Sequence, residues 1–502
     1  MPRPASAPSI GERPNILFVM TDQQRFDTIA ALGHQPAHTP NLDRLVHRGF
    51  ALTKAYSTCP VCVPARYGLM TGYEPSQTGW FSNWQTVPNV PAACGDYLPQ
   101  TLAKAGYRTF GLGKFHTEPR NEDLGFEVHE YSEELWPSEA DFLADDYVQW
   151  LRSRSTDFRH LEQVHGERTD MYYAAQCRAQ PAELCVESWL TERTLAQLET
   201  GDDQRPFFGF VSFVQPHPPF APPTPYNRLF NPDEMPSPIP GDAQIDTADD
   251  YLGWMNHAVW ADDISAGQAR QLRARYFASI TFIDDCIGRI LDAVERRSDA
   301  DNTLICFFSD HGDLLGDHRA WQKESFFEAS CRVPFLVSWP RRWPGARRFD
   351  GLTSLTDLFS LATSAAGNAQ PRDGQDLLAA LDGSTTPRTH VCGVFGSPGT
   401  PKFKAMIREG DWKYIWLANG GRELLFHVAS NPREDVNRIA TDPSIATALR
   451  SRLITTLSDR ESTRAALDGL ALRAFPFAPF PRQRIKQFAR GITDFGQGGP
   501  LG

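Results

Sequence analysis

Apolar runs of strand length recur along this chain, and each stops abruptly at ionisable residues. NILFVMTD ends at Asp22, TFGLGKFH at Lys114 and His116, FFGFVSFVQPH at His217, and TLICFFSDH at Asp310 and His311. A strand that is apolar on both faces is buried on both faces, as in a parallel sheet covered by helices. The intervening segments supply such helices. TPNLDRLVHRG spaces Leu42, Leu45 and Val46 for one buried stripe and closes at Gly49; LPQTLAKAG closes at Gly106; ARYFASITFIDDCIGRILDAVERR is a long amphipathic helix. The expected fold is α/β, a large mainly parallel or mixed sheet sandwiched by helices, with its chemistry gathered at the carboxyl ends of the strands.

At 502 residues the chain exceeds what a single hydrophobic core serves, so a second, smaller unit is expected. Residues 1–13 form a Pro/Ser/Ala-rich tail. Residues 14–383 are expected to form the large α/β domain, interrupted at about 130–199 by a stretch rich in charges and aromatics, read as an inserted, largely helical lid. From 384 to 470, KAMIREGDWKYIWL and RELLFHVASNP alternate like half-exposed antiparallel strands and precede a helix near Ile445 to Asp459, which makes a smaller α+β subdomain. Residues 471–502 mix Phe, Pro and Gly without a period, and are expected as an arm lying on the surface or joining a homo-oligomer.

A net charge of −11 gives no sign of the basic face that nucleic acid requires. The opening residues carry no export signal, and the apolar run Ile16 to Met20 is too short to span a membrane. Nine cysteines scattered over so long a chain do not make a disulfide framework, so a cytoplasmic location is expected.

Two of those cysteines, Cys59 and Cys62, stand at Cys-x-x-Cys spacing in YSTCPVCVPARYGLMTG. Redox or zinc use calls for a clean helix start or a second pair at suitable spacing, and the sequence offers neither; two small residues in a buried loop is the bland alternative. Pro64, Arg66 and the GLMTG that follows set Cys62 apart. Cys62, Pro64, Arg66, Leu69, Thr71 and Gly72 resemble the Cys-x-Pro-x-Arg signature, with its Leu-x-Thr-Gly continuation, of the sulfatases of the alkaline-phosphatase superfamily. In that family a formylglycine-generating enzyme oxidises the cysteine. The resemblance therefore implies that Cys62 is the precursor of a formylglycine and Cys59 a bystander.

Further segments match the family in order. MTDQQRFD is similar to its Asp-Asp metal segment, with Asp22 matching and Gln23 in place of the second Asp, and SDHGD supplies Asp310 and His311. Carboxylates gathered at strand ends repel one another unless a cation sits among them. The resemblance implies one divalent metal held by Asp22, Gln23, residue 62, Asp310 and His311. Calcium is the first choice; the imidazole draws the site toward manganese, and magnesium is a further alternative. GLGKFH gives Lys114 and His116, QPHPP gives His217, and WQKE gives Lys323. Asp313, Asp317 and His318 read as turn and packing residues, and Arg332 as structural. Asn83, with Trp80, Trp84, Trp136, Trp150, Tyr172 and Tyr173, is a candidate for contacting the substrate's alcohol.

The resemblance implies hydrolysis of a sulfate monoester of a sugar, aryl or alkyl alcohol. Metal, Arg66, Lys114 and Lys323 would surround the sulfate oxygens, a hydrated aldehyde at 62 would attack, His217 or Lys323 would protonate the leaving alkoxide, and His116 would take a proton as sulfate is released. Two alternatives stand beside this: a phosphonate monoester or phosphodiester hydrolase, which shares Asp22-Gln23 and Asp310-His311, and a non-catalytic binding protein of the same fold.

Overall fold

The computed structural model describes residues 13–482 except 35, 84, 86, 88–89, 121, 134–135, 137, 158–172, 200–202, 243–244 and 246–247, and also 486–487 and 493–494. Trp84 and Tyr172, the tail 1–12 and most of the last twenty residues lie outside it.

Eight strands form the central sheet: β1 (Asn15–Thr21), β2 (Phe50–Tyr56), β3 (Arg108–Gly113), β4 (Val128–Tyr131), β5 (Phe207–Ser212), β6 (Thr303–Ser309), β7 (Phe335–Ser338) and β8 (Arg347–Ser354). Their order is β4-β3-β5-β1-β6-β7-β2-β8. The run β4-β3-β5-β1-β6 is parallel throughout, while β7 pairs antiparallel to both β6 and β2. Five parallel neighbours end at one edge, so the residues that follow β1, β3, β5 and β6 meet there, as the sequence pattern anticipates.

Burial on both faces is visible within β1 itself. Ile16, Phe18 and Met20 enter one core; Leu17 and Val19 enter the other. Helices α1 (Pro40–Arg48), α3 (Val186–Leu198) and α4 (Ala266–Glu295) contribute to the second core through Leu42, Leu45, Trp189, Ile283 and Ile287, and α5 (Asp357–Ala365) to the first through Leu358 and Leu361. α4 starts on a capping box in which Ser265 and Gln268 satisfy each other's backbone N–H groups. α1 ends as its spacing predicts. Gly49 is nonetheless extended there, and glycine is needed because a Cβ would lie 2.1 Å from the Val337 carbonyl oxygen.

Between α1 and α3 comes α2 (Cys62–Thr71), all ten residues of which are buried, and it closes on Gly72 in the left-handed conformation. The stretch 130–199, expected as a lid, contributes elements to the sandwich at both ends: β4 joins the sheet edge and α3 packs under it.

Strands β9 (His390–Phe395), β10 (Lys404–Glu409), β11 (Trp412–Leu417) and β12 (Arg422–His427) make a separate antiparallel sheet in the order β12-β11-β10-β9, followed by α6 (Pro443–Ser458). The sequence reads these strands as half-exposed; in the structure both faces are covered. Ala405, Ile407, Tyr414 and Trp416 pack on Leu449 and Leu453 of α6, whereas Met406, Ile415 and Phe426 pack against Tyr56 and Phe327 of the main body. The Lys413 ammonium, fully buried, reaches Glu328 at 2.9 Å and also Glu434, tying this sheet to the sandwich. The start of the expected arm lies on its own chain: the Ala478 N–H donates to Asn419 Oδ1, and the Arg482 guanidinium pairs with Asp250 at 2.7 Å.

Candidate active site

The four strand ends and the start of α2 converge on one buried cluster. Donor atoms of Asp22, Cys62, Asp310 and His311 all lie within 4.8 Å of one another, and all four residues are buried. Asp22 follows β1, Asp310 and His311 follow β6, and Cys62 opens α2, at the end where the helix dipole favours negative charge. His311 Nε2 stands 3.2 Å from Cys62 Sγ, while its Nδ1 is 3.0 Å from the Gly312 carbonyl oxygen. That second contact fixes the ring with Nε2 toward the cluster, the arrangement a metal-ligating imidazole adopts.

Cations surround the carboxylates. Arg66, one turn into α2, donates to Asp310 Oδ2 at 3.0 Å, to Asp22 Oδ2 at 2.9 Å, to Ser212 Oγ at 3.1 Å and to the Lys114 carbonyl oxygen at 2.5 Å. Lys114 Nζ shares Asp22 Oδ2 at 2.6 Å with no exposure on either side. Gly113, at φ +100°, lets β3 end this close: a Cβ there would meet the Ser212 carbonyl oxygen at 2.0 Å.

These neighbours set the charges. Burial opposes ionisation of Asp22, yet Lys114, His217, Arg66 and His311 hold its carboxyl well below the usual range. Burial and the Asp22 charge push Asp310 up. Burial and Asp22 also oppose ionisation of the Cys62 thiol, but Lys323, Lys114 and His311 hold it well below the ordinary thiol value. Burial disfavours the His311 cation, and Asp310 and Cys62 outweigh it, so His311 is raised.

The remaining candidates sit around this centre. Lys323 Nζ donates to Gln23 Oε1 at 2.6 Å, so the Gln23 side chain, expected as a metal ligand, is turned toward Lys323, and its backbone N–H donates to Asp310 Oδ1 at 3.1 Å. His217 is buried, with Nδ1 2.8 Å from the Pro218 carbonyl oxygen, a contact that fixes the ring. His116 has a left-handed backbone, φ +50°, and lines a small cavity together with Arg66, Phe115 and Phe210. Asn83 Oδ1 accepts the Val63 N–H at 2.9 Å and so caps α2 beside residue 62.

Sequence reasoning missed the supporting role of three residues, of which Asp313 reads there as a turn and packing residue and Tyr173 as a candidate for substrate contact. Glu133, from the expected lid, accepts the backbone N–H groups of Phe115 at 3.0 Å and His116 at 2.8 Å. Asp313 accepts from Gln23 Nε2, and Tyr173 OH donates to Asp313 Oδ2 at 2.8 Å. A carboxylate three residues past Asp310 could be suspected from the sequence, but its direction could not. Two of the aromatic candidates for substrate contact turn inward instead: Trp80 is fully buried and stacks on Tyr67, and Trp136 donates to Asp145. Asp317 pairs with Arg25 and Arg273, and His318 stacks on Phe327, the packing roles expected of them.

The chain is similar to known proteins. The Sulfatase family model matches residues 14–368. An arylsulfatase of Clostridium perfringens (strain 13 / Type A) is 28% identical over 470 residues, 89% of this chain and 95% of that protein. A choline-sulfatase of Rhizobium meliloti (strain 1021) is 30% identical over 453 residues, 86% of this chain and 83% of that protein. Among solved structures, the phosphonate monoester hydrolase of Agrobacterium radiobacter superposes with a TM-score of 0.75 at 25% identity, covering 89% of this chain and 96% of that one. With a family model spanning the whole run of strands that builds the buried cluster, this chain belongs to the sulfatase family.

Proposed function

We propose that the chain is a sulfuric ester hydrolase that cleaves a sulfate monoester with a formylglycine made from Cys62 and one divalent metal. The observation that carries this reading is the position of residue 62: it opens a buried helix, lies among Asp22, Asp310 and His311, and is flanked by the charges of Arg66, Lys114 and Lys323.

The residues present fit a divalent cation. Two buried carboxylates, an imidazole oriented through Nε2 and residue 62 offer a compact set of donors, with calcium suited to the oxygens and manganese to the added imidazole. A bound divalent ion supplies Lewis-acid charge against the nucleophile and the sulfate oxygens. A formylglycine at 62 would supply a hydrated aldehyde as the nucleophile, held among Asp22, Asp310 and His311.

The side chains do the rest. Arg66 holds both carboxylates at once and so fixes the donor set. Lys114 and Lys323 bring two further positive charges to the oxygens of a sulfate placed beside residue 62. His217, with Nδ1 toward a carbonyl, can deliver a proton from Nε2 to the departing alkoxide, and Lys323 is the alternative donor. His116, held by Glu133 through the backbone, can accept the proton given up as sulfate departs.

A second reading, phosphonate monoester or phosphodiester hydrolysis, is favoured by Gln23 and by the likeness to the Agrobacterium enzyme. Lys114 and His116 weigh for sulfate. Peptide mapping around residue 62 by mass spectrometry, with turnover of a panel of aryl, alkyl and sugar sulfates and a phosphodiester, decides between them. Conversion at 62 with sulfate turnover is expected; turnover of the phosphodiester alone overturns the proposal.

A further inference from the structure

We propose that Asp313 is a positioning residue for Lys323, acting through the Gln23 amide, so that Gln23 and Asp313 together do for Lys323 what one carboxylate in direct contact would do. This rests on the reading of Lys323 as a ligand of the sulfate oxygens. The observations are geometric. Gln23 Oε1 accepts from Lys323 Nζ at 2.6 Å, and Gln23 Nε2 donates to Asp313 Oδ2. The reverse orientation of the amide would set its NH2 against an ammonium and its carbonyl against a carboxylate, so the two partners fix it.

Asp313 is itself fixed. Its Oδ1 accepts the Leu315 N–H at 2.6 Å, and its Oδ2 accepts Tyr173 OH at 2.8 Å. The same Tyr173 oxygen accepts the N–H of Gln322, the residue before Lys323, at 3.0 Å. The contacts therefore close a ring: Lys323, Gln23, Asp313, Tyr173, Gln322 and back to Lys323. Every member is buried. Gln23 and Gln322 both hold left-handed backbones, at φ 68° and 75°, conformations that persist only where surrounding bonds over-determine them. The ring is anchored to the metal-ligand segment, because the Gln23 N–H donates to Asp310 Oδ1 at 3.1 Å and its carbonyl accepts Tyr276 OH at 2.7 Å.

This gives the Gln23 exchange a physical sense. A carboxylate at position 23 would face the Asp313 carboxylate across a hydrogen-bond distance, whereas an amide accepts from the ammonium on one side and donates to the carboxylate on the other. The negative charge that Gln23 lacks is thereby placed one residue further out, on Asp313.

The test is an isosteric exchange, made in the full chain with residue 62 converted and divalent metal present. Gln23→Glu, Asp313→Asn and the double variant are compared for kcat, KM, inhibition by inorganic sulfate and thermal midpoint. Each single change sets like groups against each other or removes the charged acceptor, and is expected to weaken sulfate inhibition and kcat/KM about 10- to 100-fold. The double variant puts the carboxylate against Lys323 and an amide behind it, and is expected to exceed both singles. A double variant at the product of the two single losses, or an Asp313→Asn variant within about twofold of the parent, overturns the proposal.

Lys323→Met supplies the second arm and separates this inference from the functional reading. If Lys323→Met leaves sulfate inhibition unchanged, the role of Lys323 itself falls and the proposal with it. If Lys323→Met weakens it and Asp313→Asn has no further effect in that background, Asp313 acts through Lys323 as proposed; a full further loss there overturns the proposal. Should Asp313→Asn fail to fold, Tyr173→Phe removes one bond to Asp313 and keeps the carboxylate. A severalfold weaker sulfate inhibition at an unchanged melting point is then the supporting result, and unchanged inhibition the overturning one.

Discussion

Arg66 Nη2 and Asp22 Oδ2 meet at 2.9 Å with the side chains 4% and 0% exposed, and the same guanidinium reaches Asp310. A planar fork with five donors can hold two carboxylates, a hydroxyl and a carbonyl at once; an ammonium cannot. Arg66→Lys is therefore expected to lower kcat/KM by about 100-fold or more, in the range found when a preorganised donor is removed. Arg66→Ala leaves two buried carboxylates less compensated and should also lower stability by about 3–5 kcal/mol. Steady-state kinetics and urea unfolding of the metal-loaded protein check both.

Removing the metal makes a separate prediction. Asp22 and Asp310 are wholly buried, and burial and Asp22 already push Asp310 up. Dialysis against a chelator is expected to abolish turnover and lower the melting temperature. At a free-ion concentration of about 100 times the dissociation constant, re-addition should return about 2.7 kcal/mol of stability. Calorimetry with calcium, manganese and magnesium ranks the ions. His311→Ala should shrink the manganese response more than the calcium response, because an imidazole favours the softer ion.

Glu133 supports His116 from outside the cluster, accepting two successive backbone N–H groups where the chain turns left-handed. Glu133→Ala removes both acceptors and is expected to lower kcat about tenfold or more while inhibition by sulfate changes little, since each lost charge-assisted bond is worth about 1.5–3 kcal/mol. Glu133→Gln keeps an acceptor oxygen and should stay within a few-fold of the parent. Equal losses in kcat and in sulfate inhibition would show that the whole site had moved.

What the sequence disclosed, and what it hid, follows from the range of each signal. The strand ends at Asp22, Lys114, His217 and Asp310 were legible because apolar runs stop there, and their meeting follows from parallel neighbours in one sheet. Cys62 was legible through Pro64 and Arg66, close in sequence and on the same helix. The ring through Gln23, Asp313 and Tyr173 was not, because its contacts join residues 140 to 300 positions apart and depend on side-chain direction, which no local pattern encodes. The four-stranded sheet shows the same limit in the other direction. Its alternation suggested one wet face, but the partner that covers that face comes from Tyr56 and Phe327, remote in sequence.

His318 contributes to the acid limb of the pH dependence of stability. Its ring stacks on Phe327 with centroids 4.1 Å apart and planes at 13°, and burial lowers its pKa to about 4, with Asp317 opposing and Lys413 reinforcing. The unfolded value is about 6.5. The fold therefore holds this imidazole neutral while the unfolded chain binds a proton, so the contribution is complete above pH 6.5 and is lost as pH falls from 6.5 toward 4. At pH 5 the loss from this group is about 2 kcal/mol. His318→Asn suits the left-handed backbone at φ 54° and cannot titrate. The variant is expected to be less stable at pH 7 for want of the stacked ring, yet to lose about 2 kcal/mol less than the parent between pH 7 and pH 5. Urea midpoints of both proteins at the two pH values measure the difference, and parallel losses would assign the acid limb to other groups.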